Sequence, residues 1–394
     1  MKRTYSLLSL CLITLSACTT VGPARTTPNW PPTTEPDPVQ AELLPSQTTT
    51  PVSTGTATPG ATITPRPATY FFFEPGVNPL TGLQVSDPSR LLRRPVMVRV
   101  SNWPREGRPH AGLMSADIVF ENFIGHQMNR FLAIYYGEDA DVIGPVRSGR
   151  LVDAQLANLY QGILGYGNAD PQVDQVLVEA LGERAISFNQ ARCPAMCGES
   201  TYAATGVFAN SVALTDYALG IGVDNTAPDL RGMYFQAEPP GGDAAGTQLR
   251  VEYADFSIMQ WRYDSELGTY LLWMEEAAEG GLVLAMMTDR NNHQAVAFEN
   301  VILMYAEYIE YAPTLHDILL RDVVDYQPAL LFREGQVTYG TWRVPEPDRP
   351  IIFETADGDP LPLKPGRTWI VIVGQHSRTV QPAGGEWELY FGLP

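Results

Sequence analysis

Two arginines in "IGPVRSGR", Arg147 and Arg150, sit where their chemistry asks for a partner. They flank Ser148 and Gly149 and precede "LVDAQLANLY", whose apolar spacing predicts a helix to about Leu159. A helix N-terminus carries partial positive charge and unpaired N–H groups, so two cations placed there need an anion. The planar arginine fork suits a carboxylate or a phosphate. Ser148 is the expected N-cap, Gly144 to Arg150 the expected loop, and Gly149 lets backbone approach closely. Arg147, Ser148 and Arg150, with Arg130, form the candidate ligand-binding set. The anion is either internal, supplied by Asp117, Asp141 or Asp153, or a bound ligand.

The rival chemistry is acidic. Asp117 and Glu121 in "ADIVFENF" are a carboxylate pair of the kind glycan hydrolases use, with Asp153 and Asp170 as additions. Residues four apart on a strand lie roughly 13 Å from each other. Paired glycosidase carboxylates need roughly 5 to 9.5 Å. "DIVFENFIGHQMNRFLAIYYGE" reads as two strands around Gly125-His126, a pair suited to a type II′ turn. That register places Glu121 opposite Arg130 as a cross-strand ion pair, which favours a structural role. If the segment were helical instead, the two carboxylates would share a face.

Other catalytic signals are weak. There is no GxSxG elbow, and Ser148 has no base nearby in sequence. His110, His126, His293, His316 and His376 are scattered, which argues against a metal set. No P-loop is present and "GYGNAD" is too weak for a dinucleotide fingerprint, so no cofactor is expected.

The elements around these residues can also be read. The start, "MKRTYSLLSLCLITLSAC", has Lys2 and Arg3, a short apolar stretch and small residues before Cys18. It is too short for a membrane span and predicts an export signal over 1–18. "LSAC" is similar to a bacterial lipobox, which implies lipid attachment on Cys18 and loss of Cys11. Residues 19–69 are dominated by Thr, Pro, Ser, Gly and Ala and read as a disordered tether, with a glycosylated stalk as the alternative. Cys193 and Cys197 in "RCPAMCGES" remain. Outside the cytoplasm a disulfide is the default, worth about 2 kcal/mol for so small a loop. A metal site or a catalytic thiol lacks nearby partners.

The chain has 394 residues, 44 % of them hydrophobic, enough for two domains beyond the tether. It carries 44 acidic against 26 basic residues, a formal net charge of −18. Long-range repulsion then argues against nucleic acid or an anionic lipid surface as the main partner. From residue 70 to about 235 strands alternate with helices. "PVMVRVSN" and "GILGYGN" are buried strands, and "PQVDQVLVEALG" is a helix opened by Pro171 and closed by Gly182. From 246 to 394 the aromatic and β-branched texture predicts a predominantly β region, ended by the strand in "LPLKPGRTWIVIVG".

"NPLTGL", "RRPVMVRVSN", "RPHAGLMSADIVFENFI", "NRFLAIYY" and "IGPVRSGR", followed by "ENVILM", "GTWR" and "LKPGRTWIVIV", resemble in that order the YerB-like family of bacterial lipoproteins. The resemblance implies an α/β (α+β) fold: a layered β/β/α N-terminal domain followed by a predominantly β C-terminal domain. It also implies a lipid-anchored, extracytoplasmic placement on the cell membrane. It brings no catalytic residues. Family members tend to carry a histidine-containing "HAGGS"-like stretch where this chain has "YGNAD" (Tyr166 to Asp170), so a role resting on that histidine does not transfer.

The expectation is a non-enzymatic binding or scaffold protein of the cell envelope with an anion site. Its partners would be the membrane through Cys18, an anionic envelope glycan or peptide, and an envelope protein met through the aromatic-rich β region. A cell-wall glycan hydrolase using acidic residues is the alternative.

Overall fold

A computed structural model describes residues 68–200, 206–321, 323 and 325–394. The signal, the lipobox at Cys18 and all but the end of the tether lie outside the described residues. The described residues belong to a single compact unit.

The apolar runs of the sequence become strands covered on both faces, which is why they lack the alternation of a half-exposed sheet. Strand β1 (Val96–Ser101) is buried at every residue. It pairs antiparallel with β3 (Met128–Tyr135), and β3 pairs antiparallel with β2 (Ile118–Gly125). Strand β4 (Ile143–Val146) meets β1 at Val100, and β5 (Ile163–Tyr166) lies parallel to β1 on its far side.

The other edge of β2 takes Thr368–Gly374 in parallel, and that strand pairs in parallel with Asn300–Ala312. The sheet continues antiparallel through Gln327–Arg333, Gln336–Arg343 and Ile352–Thr355. The α/β half and the β-rich half therefore share one sheet. Their join is a row of main-chain hydrogen bonds rather than a linker.

A second sheet covers one face. It runs through Ala244–Ala254, Ser257–Asp264, Thr269–Ala278 and Gly281–Met286, with Gly385–Tyr390 parallel to the first of these. Trp261 from this layer packs 5.0 Å, centroid to centroid, from Trp369 of the central sheet. Helices α1 (Leu151–Leu159) and α2 (Pro171–Leu181) belong to the opposite side, where Phe120 of β2 meets Tyr160 at the end of α1, while α3 (Ser211–Gly220) sets Leu214 against Gly165 of β5. The two sheets and the α1–α2 layer stack as β/β/α, the second sheet being drawn from residues 244–390. The strand in "TWIVIVG" does not end the fold, because Arg378–Ala383 and Gly385–Tyr390 follow it.

The β2–β3 hairpin forms, but not in the expected register. Its turn residues are His126 and Gln127, with φ of 50° and 59°, the two left-handed conformations of a type I′ turn. Gly125, at φ 96°, instead takes part in a bulge between Phe123 and Gly125. The pairing slips by one residue, so Arg130 faces Asn122 and Glu121 faces Phe131. A one-residue slip moves a side chain to the other face of a sheet. Glu121 and Arg130 are therefore not partners; they lie on opposite sides of the layer.

Candidate functional site

The helix-side face of β1–β3 carries Arg99, Asn122 and Arg130, all buried. Above them runs the segment from Arg147 to Arg150, which feeds α1. Residues 144–146 of the expected loop belong to strand β4; only Arg147–Arg150 is irregular. The backbone of Arg147 is tied on both sides, its N–H donating to Arg99 O and its carbonyl accepting from Gly167 N–H, each at 2.9 Å. The N-cap position belongs to Arg150, two residues after Ser148. A carboxylate at the third helical position compensates, since Asp153 Oδ2 accepts from the Arg150 N–H at 2.8 Å.

Four guanidiniums gather here around one carboxylate. Arg99 and Asp153, both fully buried, form an ion pair at 3.2 Å. Arg99 also donates to Asn122 Oδ1 at 2.8 Å. Arg130 Nη1 donates to Ser148 O at 2.9 Å; Arg150 Nη1 donates to the same oxygen at 3.3 Å and to Gly149 O at 2.8 Å. Two cations thus converge on one neutral carbonyl. The Nε atoms of Arg130 and Arg150 are buried and have no hydrogen-bond partner, and neither side chain forms an ion pair among the described residues.

Electrostatics registers this crowding. Burial, then the neighbouring Arg150, Arg99 and Arg147, holds the Arg130 guanidinium well below its ordinary range, with only Asp153 opposing. Burial and Arg99 push Arg150 down to about 10. Arg147 is lowered by burial. The patch keeps a route to solvent: Ser148 and Arg150 are half-buried, and Arg130 and Arg147 are each 8 % exposed. Chemically, Arg130 and Arg150 are planar donors with spare N–H groups in a low-dielectric region of positive charge.

The remaining candidates disperse. Of the possible internal anions only Asp153 joins the cluster. Asp141 is exposed and accepts from Asn210, and Asp170 caps α2 by accepting from Gln172 N. Asp117 accepts from Asn78 Nδ2 and from the N–H groups of Tyr136 and Gly137. Glu121 lies on the other face, accepting from Asn129, Tyr253 and Trp369 at 2.7, 2.9 and 2.8 Å. Burial raises both carboxyls to about 7, but they engage separate partners. No shared cleft brings them together for acid–base work.

Gly149 serves packing rather than ligand approach: a Cβ there would lie 2.6 Å from Leu177 of α2. Cys193 and Cys197 are joined as a disulfide. His110 is buried and held neutral, its pKa pushed down to about 3 by burial and Arg108.

Arg99 was missed in the sequence, although a signal was present. It is the one charge in "VMVRVS", and a lone cation in an apolar strand is seldom buried without purpose. Asn122 carried no such signal. Its place opposite Arg130 follows from the register of the hairpin, which the turn residues decide.

Residues 80–216 match the N-terminal domain, and residues 249–370 the C-terminal domain, of a protein family of unknown function, DUF3048. The chain is 28 % identical over 309 residues to YerB of Bacillus subtilis (strain 168), a protein provisionally named a lipoprotein, covering 75 % of this chain and 85 % of the relative. The crystal structure of the B. subtilis YerB protein superposes with a TM-score of 0.61 at 26 % identity, over 75 % of this chain and 96 % of that one. With both domain matches in sequence order and the layered fold in common, the chain belongs to the YerB-like family.

Proposed function

We propose that this chain is a lipid-anchored, extracytoplasmic cell-envelope protein that binds an anionic group, carboxylate or phosphate, of an envelope glycan or peptide, and does so without catalysis. One observation carries the binding role: Arg130 and Arg150 are drawn together under the start of α1 with unused N–H groups and no carboxylate in contact. An unpaired buried charge costs several kcal/mol. A bound anion would recover that cost and use donors already oriented. The anchor is supported by the lipobox-like "LSAC" ending at Cys18 and by the lipoprotein name of the Bacillus relative.

The test uses the full chain in neutral detergent. Inorganic phosphate or acetate should raise its melting midpoint at constant ionic strength, and immobilised protein should retain sonicated wall fragments in a salt-dependent way. Arg130→Gln with Arg150→Gln should abolish both effects while leaving the fold intact. A parent protein indifferent to both anions and to the fragments overturns the binding role. For the anchor, Cys18→Ala should leave an unprocessed precursor or a released protein; an unchanged lipid-labelled product refutes it.

A further inference from the structure

The charge count at this site says more than that an anion fits. Arg99 and Asp153 balance each other. Arg130 and Arg150 then leave two positive charges with no acid in contact among the described residues. A carboxylate or a phosphodiester would neutralise one of them and leave the other offset only by carboxylates not in contact with it, Asp153 and, for Arg150, Asp170. A dianion neutralises both.

Donor number points the same way. Beyond the bonds to Ser148 O and Gly149 O, Arg130 and Arg150 each keep Nε and Nη2, and the Ser148 hydroxyl has no partner among the described residues. The first turn of α1, a helix of nine residues, adds the N–H groups of Leu151 and Val152, which α-helical bonding cannot satisfy. A carboxylate offers two acceptor oxygens, whereas a terminal phosphate offers three and near-neutral pH gives it close to two charges. The helix terminus alone would not make a site. The independent observation is Arg130, only 8 % exposed, with a buried, unpartnered Nε beside that terminus.

We infer that the Arg130–Ser148–Arg150 cradle takes a phosphate monoester in its dianionic form, in preference to a carboxylate or a phosphodiester. This rests on the anion-binding role proposed above. The same headgroup chemistry can arrive on a soluble molecule or on a lipid.

The experiment measures protection of the full chain against thermal unfolding in neutral-detergent micelles at constant ionic strength. The probes are glycerol 3-phosphate, dioctanoyl phosphatidic acid, dimethyl phosphate and acetate. The expected result is half-maximal protection by a monoester at a concentration at least about tenfold lower than by dimethyl phosphate or acetate. Protection by glycerol 3-phosphate assigns a soluble source; protection by the phosphatidic acid alone assigns a lipid-borne one. Arg150→Lys keeps the charge but loses the fork, and should weaken the monoester by about tenfold with little change for acetate. Because the preference is read on the parent protein, it stands even if the double glutamine variant does not fold. Equal protection by all four probes overturns the dianion inference while leaving anion binding in place. No protection by any probe overturns both.

Discussion

Strands β1–β3 present two buried polar clusters, back to back through one layer of backbone. On the side facing the second sheet, Glu121 accepts from three donors, Asn129, Tyr253 and Trp369. On the helix side, four arginines crowd around Asp153, and the Nε atoms of Arg99, Arg130 and Arg150 have no partner. The first cluster is complete and ties the two halves of the molecule together, since Asn129 comes from one half and Tyr253 and Trp369 from the other. The second is incomplete in one direction only, having more donors than acceptors. The Glu121 cluster has every partner in place, whereas Arg130 and Arg150 have no acid in contact among the described residues.

The largest expected effect tests the one acid in the cationic cluster. Asp153→Asn removes the partner of Arg99 and should cost about 3–5 kcal/mol in a denaturant titration. The same variant should gain more stability from added inorganic phosphate than the parent does. A loss under 1 kcal/mol would mean that Arg99 finds other compensation and that the two clusters are not so different.

The Glu121 side predicts a pH dependence. Its folded pKa of about 7 lies above the usual 4.5, so the folded state holds the proton more tightly. That contribution is full below about pH 4.5, falls as pH rises, and is lost above about 7, a span on the order of 3 kcal/mol. Asp117, raised from 3.8 to about 7, has the same sign. His110, lowered from 6.5 to about 3, has the opposite sign, its neutral form favouring the fold as pH rises. The difference between the parent and Glu121→Gln, followed by thermal melts from pH 4 to 8, isolates the first term. A flat difference would contradict it.

Arg130→Met should raise stability in anion-free buffer by about 1–2 kcal/mol, because it replaces an uncompensated buried cation with an apolar side chain of similar length. The equivalent change on the opposite face, Glu121→Met, should destabilise by about 1–3 kcal/mol, since three buried donors lose their acceptor. Opposite signs would sharpen the contrast. A destabilised Arg130→Met that also shows no phosphate response would break it.

The smallest effect concerns the turn that separates the clusters. His126→Asn with Gln127→Gly supplies residues that accept left-handed backbone more readily and should add about 0.5–1 kcal/mol without altering ligand response. A loss of stability would argue against the type I′ register, and hence against Glu121 and Arg130 lying on opposite faces.

Much of this molecule was legible from residue order. Apolar runs marked β1, β2, β3 and β5, Pro171 and Gly182 bounded α2, and the expected extracytoplasmic placement made a disulfide the default for Cys193 and Cys197, which are joined. These features depend on local periodicity and backbone chemistry, which neighbouring residues carry among themselves. Arg147 and Arg150 stood out for the same reason, as cations at a recognisable helix start. What tertiary structure decided was pairing. Whether Glu121 met Arg130 depended on a single residue of register, set by the backbone at Gly125, His126 and Gln127. Whether Gly149 admitted a ligand or a neighbour depended on Leu177, which arrives from α2. The two halves form one sheet because Thr368–Gly374 lies beside Ile118–Gly125, strands some 250 residues apart. Residue types and local spacing determine which groups want a partner. Only the packing of distant strands and helices determines which of them are left without one.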